Sequence, residues 1–182
     1  MKKTLALVAA ALLFTMSSAL AQLGTTTVTS NLSVAVAPES ALTIQTPTTT
    51  FSTPINFTDY AGTTNFTYFV RTTKAGGSGS ITLQITTDFS PAGGPSVAVP
   101  PSPGDALKYS CTVPAASSGT VTQCSGSVTS STGAATNVAT FGQDTRTKTA
   151  GVASSVTWDL TNDPFYQTGS YTAVATFTIS AA

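Results

Sequence analysis

In the stretch Tyr171-Thr-Ala-Val-Ala-Thr-Phe-Thr-Ile-Ser180, the residues Tyr171, Ala173, Ala175, Phe177 and Ile179 alternate with Thr172, Thr176, Thr178 and Ser180. A period of two marks a strand with one face in a core and the other in water. The same pattern recurs upstream. Val156, Trp158 and Leu160 share one parity, as do Leu107, Tyr109, Cys111 and Val113. Ile81, Leu83 and Ile85 alternate with Thr82, Gln84 and Thr86, and Phe66, Tyr68 and Val70 form another run. Leu42 and Ile44 repeat it briefly, and Val28, Leu32, Val34 and Val36 do so near the start. No segment carries a convincing helical period. Threonine explains the wet face, because its branched side chain fits a pleated surface and its hydroxyl binds water without charge. About eight to ten such strands, separated by Gly, Pro, Asn and Asp clusters, predict an all-β, immunoglobulin-like sandwich of mostly antiparallel strands. A closed barrel is the alternative.

Composition narrows the chemistry. The chain has 182 residues, 41% hydrophobic and only 8% charged, with seven basic residues, seven acidic ones and no histidine. Thr and Ser make up roughly a third of it, where soluble domains usually carry about 25% charged residues. Lacking histidine, it has no Ser-His-Asp or Cys-His catalysis and no imidazole metal ligand. Its scattered bases offer no footprint for nucleic acid. No glycine loop cradles a phosphate ahead of a helix. These absences predict a protein that is not an enzyme and needs no cofactor.

Lys2 and Lys3, the apolar run Leu5 to Met16 and the triplet Ala19-Leu20-Ala21 read as a signal peptide over residues 1–21. The run is shorter than the roughly 20 residues that span a bilayer, and no later stretch approaches that length. The expected mature chain, 22–182, is a single domain with five bases against seven acids. The expected destination is the periplasm, the cell surface or the medium of a bacterium. An oxidising compartment suits Cys111 and Cys124 as a disulfide. Strand-like flanks and the turn Pro114-Ala-Ala-Ser-Ser-Gly119 between them predict a bridge across a hairpin, with Val113 facing Thr122.

From Ser90 to Asp105 the chain holds Pro91, Pro95, Pro100, Pro101 and Pro103, so this segment is expected to cross between sheets as a loop. A glycosidase would need two of the acids to meet across a scissile bond. Most of them sit beside turn residues instead. Asp159, Asn162 and Asp163 are close enough in sequence to hold calcium, but they lack the regular spacing of a calcium loop and read as a turn. Gln143-Asp-Thr-Arg146 reads as a cross-turn ion pair. The rings Phe51, Phe57, Tyr60, Phe66, Tyr68 and Phe69 suit either a sugar platform or core packing between sheets.

Two ends of the chain carry a resemblance. The segment Thr25-Thr-Thr-Val-Thr-Ser-Asn-Leu-Ser-Val-Ala-Val36 resembles the alternating N-terminal strand of chaperone–usher fimbrial subunits and spore-coat-U-like secreted domains. Gly169 to Ala182 is similar to their closing strand, marked here by Gly169, Tyr171, Phe177 and Ile179. In that family an immunoglobulin-like domain lacks one strand, which the next subunit supplies. The resemblance implies a fimbrial structural role, partners that are other copies or related subunits, and a periplasmic chaperone. It makes Val28, Leu32, Val34 and Val36 the candidate subunit-contact strand. That strand is either kept in its own sheet or donated. Trp158-Asp-Leu160 also resembles the WxL signature of cell-wall-binding surface proteins. The competing function is therefore a monomeric secreted module that binds polysaccharide or wall polymer.

Overall fold

The structure, a computed structural model, describes residues 27–182. The expected signal peptide lies outside the described residues. In chain order the strands are β1 (Glu39–Ile44), β2 (Tyr60–Arg71), β3 (Gly79–Ser90), β4 (Leu107–Thr112), β5 (Val121–Gln123), β6 (Val128–Thr129), β7 (Thr136–Phe141), β8 (Val152–Leu160) and β9 (Thr172–Ala181). They form two antiparallel sheets, ordered β1-β2-β8-β4-β6 and β5-β7-β3-β9. The alternation-based expectation of an all-β sandwich is met.

The inward parity of each run builds the core. Phe66, Tyr68 and Val70 of β2 meet Ile81, Leu83 and Ile85 of β3, with Leu107 and Tyr109 of β4 and Val156, Trp158 and Leu160 of β8. Ring pairs close the space between the sheets, Tyr68 with Phe141 at 5.3 Å and Phe66 with Phe177 at 5.6 Å. Polar tips in the core find partners, as burial requires. The Tyr68 hydroxyl donates to the Pro114 carbonyl at 2.8 Å, and the Tyr109 hydroxyl to Thr136 at 2.8 Å. Burial pushes the Tyr68 phenol up to about 12, so it remains a donor at any ordinary pH. On the outer face Thr86 and Thr176 share a hydrogen bond at 2.8 Å across β3 and β9.

Cys111 and Cys124 are bridged, with Cα atoms 5.7 Å apart. The hairpin expected around them does not form. β4 pairs with β8 and β6, while β5 pairs with β7 in the other sheet. The proline-led turn carries the chain from one sheet to the other, so the disulfide joins the two layers instead of two neighbouring strands.

The proline-rich segment crosses between sheets, from β3 to β4. One carboxylate anchors it. Asp88 accepts from the amides of Phe89 (2.8 Å), Val97 (2.7 Å) and Ala98 (3.1 Å) and from the Ser96 hydroxyl (2.6 Å). Burial alone would raise this carboxyl, but the donors outweigh it and hold it below its ordinary value. A depressed carboxyl stabilises the fold above its unfolded value, and that contribution fades as pH falls through the folded one. Asp88→Asn is therefore expected to cost about 1–3 kcal/mol at neutral pH. The gap from the parent should narrow once the pH drops below about 4, where the carboxyl of the unfolded parent begins to protonate, and close as the folded one follows at lower pH. Melting temperatures of both proteins across that range check it, and a gap that stays constant down to low pH would contradict it.

Candidate functional site: a cleft between two strand edges

β1 and β9 are the outermost strands of their sheets, and they lie beside each other on the same side of the sandwich. Among the described residues no strand pairs with the outer edge of either. Their inner faces are correspondingly incomplete. In β3 the inward residues Ile81, Leu83 and Ile85 are fully buried, while in the adjacent β9 Ala173, Ala175, Phe177 and Ile179 are only half-buried. Across the sandwich, Phe66 and Tyr68 of β2 are fully buried, while Leu42 and Ile44 of β1 are half-buried.

Between these edges runs a cleft of about 540 Å³. Ile44, Pro47 and Phe51 form one wall, Ala173, Ala175 and Phe177 the other, with Ile85, Leu107 and Trp158 at the floor. Pro47 lies just beyond the end of β1 and cannot donate to a ladder, and the small side chains of Ala173 and Ala175 leave room on the opposite side. The floor's polar atoms are already partnered. Thr64 Oγ1 accepts from Trp158 Nε1 at 2.8 Å and shares a 2.6 Å hydrogen bond with Thr49. Among the described residues the lining holds no carboxylate, amine or guanidinium. Such a cleft can take up apolar side chains and pair backbone at its edges, and it offers no acid or base for chemistry.

The structure scatters the remaining candidates. Residues 27–38 enter no strand, and the side chains of Val28, Leu32, Val34 and Val36 are 64–95% exposed. Phe177 and Ile179 lie in β9, with Gly169 and Tyr171 just before it. Phe66, Tyr68 and Trp158 are core, Phe51, Tyr60 and Phe69 half-buried, and Phe57 exposed. Asp159 lies in β8, whereas Asn162 and Asp163 form a turn in which Asp163 Oδ1 accepts from the Phe165 amide at 2.8 Å. No cluster of three acidic or cysteine residues that would hold a metal occurs among the described residues. Arg146 pairs with Asp144 at 3.2 Å, the ion pair expected there. The cleft itself was not legible from any motif, because its walls come from segments about 130 residues apart. The only local signals were Pro47 and the two alanines.

No protein-family model, curated protein or solved structure matches this chain.

Proposed function

We propose that the chain is an exported structural or adhesive cell-surface protein, a pilin-like subunit that assembles by strand addition with copies of itself or related subunits. The observation that carries this reading is the open cleft between β1 and β9, in a protein whose own segment 27–38 alternates and, among the described residues, enters no strand. Leu32, Val34 and Val36 are spaced to place three side chains on one face over about 13 Å. Ala173, Ala175 and Phe177 repeat over the same length in β9. An incoming strand would gain main-chain hydrogen bonds from the open edge and bury its alternate side chains in the cleft. An open edge beside an apolar cleft is a liability that lone soluble domains cover or blunt with charge. Neither β9 nor the segment from Gln22 to Phe69 contains a lysine or arginine. A periplasmic chaperone would cover the cleft before assembly.

Deleting Gly24 to Ala37 tests the reading. The expected result is a folded subunit that no longer forms high-mass assemblies, read by light scattering together with circular dichroism. A deletion that unfolds a chain never seen to assemble would sink it.

A further inference from the structure

We propose that the loop end of the sandwich is a binding site for a neutral pyranose, free or as a residue of a polysaccharide. The proposal does not depend on assembly through the β1–β9 cleft. β2, β4 and β9 begin at this end, and β3 and β8 finish there. Their loops are tied to one another. Asn162 Nδ2 donates to the Thr58 carbonyl at 3.0 Å, the Tyr166 hydroxyl to Asp105 at 3.0 Å, and the Gln167 amide to the Gly93 carbonyl at 2.8 Å. Between them lies a cavity of about 530 Å³, the size of a small-ligand pocket.

Three observations say what would fill it. The first is Phe57 on the cavity wall, 68% exposed with φ at +59°. A bulky residue is strained there, where glycine or asparagine would sit easily. The turn holds it in place all the same. Thr53 Oγ1 contacts the Ile55 carbonyl at 2.6 Å and Thr58 Oγ1 at 2.7 Å, and Thr58 Oγ1 donates to the Ile55 carbonyl at 2.8 Å. An exposed, strained ring contributes nothing to the core, and such strain gathers where a site requires it.

The second is Asp163 on the same wall. Ser102, the Phe165 amide and Asp105 hold its carboxyl below the usual value, and Oδ1 accepts from that amide at 2.8 Å. An ionised carboxylate on the cavity wall accepts hydrogen bonds and donates none, so it suits a ligand that carries hydroxyls. The third is charge. Among the described residues no lysine or arginine lines the cavity, so a phosphate, a sulfate or a uronic acid would meet Asp163 uncompensated. A pyranose has an apolar C–H face for Phe57, Tyr60 and Tyr171, and hydroxyls for the Asp163 carboxylate and the exposed Gln167 and Thr168. A quaternary ammonium would suit the rings but leave that amide and hydroxyl unused.

The test is titration of the full chain, followed by calorimetry and by NMR shifts. The probes are neutral oligosaccharides of glucose, galactose, mannose and N-acetylglucosamine, with choline alongside. At least one oligosaccharide is expected to bind. Phe57→Gly should weaken it about tenfold while leaving the melting temperature unchanged or higher, since glycine relieves the strain. Asp163→Asn should weaken it by a similar factor of about ten. Binding of choline without sugar, no binding at all, or sugar binding that both variants leave intact would each overturn the proposal.

Discussion

Trp158→Ala is expected to lower the unfolding free energy by about 3–5 kcal/mol, the range for deleting a buried aromatic side chain. The ring is buried at the floor of the cleft, 5.7 Å from the Tyr109 ring and 6.5 Å from that of Phe51. Its indole nitrogen donates to Thr64 Oγ1, but that oxygen keeps Thr49 as a partner after the ring is removed, so the lost hydrogen bond is the smaller part. The larger part is the void left between the two sheets. The size of the effect also decides between two readings of Trp158-Asp-Leu160. A tryptophan used as a surface anchor for wall polymer would be removed at a cost within about 0.5 kcal/mol, as for most surface substitutions. Urea midpoints for parent and variant, with unchanged slopes, give the value directly. A loss below about 1 kcal/mol would place the ring outside the core, where it could serve as an anchor for wall polymer.

Trp158 also shows what kind of information the sequence carries. Read as a three-residue motif it points to a wall ligand; read with Val156 and Leu160 it belongs to an inward parity, and the core reading is the one the structure bears out. Parity is local, so every long strand was legible from it, β9 most clearly. Strand order was not. β3 and β9 pair Gly79 with Ala181 and Ile81 with Ile179, contacts that no neighbouring residue announces. The cysteines divide along the same line. Their bridge was legible as an expectation drawn from the signal-like residues 1–21, whereas the hairpin was a local inference, and the chain between them switches sheets instead. Asp88 was visible as a turn residue, but its hold on residues 96–98 depends on how the prolines fold the loop back. The half-buried inner face of β9 had a faint trace in Ala173 and Ala175, residues too small to fill a core alone.

Replacing both cysteines, Cys111→Ser with Cys124→Ser, is expected to cost about 3 kcal/mol, the chain-entropy value for a loop of this length. The sequence separation is 13, and the bridge links β4 in one sheet to the end of β5 in the other. β5 has little else to hold it. It is a three-residue edge strand that pairs, among the described residues, with β7 alone, supported by the Cys124 amide on the Val138 carbonyl and by Gln123 Oε1, which accepts from the Val113 amide, both at 2.8 Å. The loss should therefore be uneven. Hydrogen exchange should accelerate first at Val121 to Cys124, before β2, β3 and β8 respond. β5 and β9 occupy opposite edges of their sheet, so the cleft between β1 and β9 is remote from the break. Below its lowered melting temperature, the cysteine-free chain should still assemble if strand addition at that cleft is the mode of association. Comparing urea midpoints of the oxidised parent and the double variant measures the stability term. Exchange that rises uniformly across both sheets would show that the bridge acts on the whole domain and not on the β5 edge.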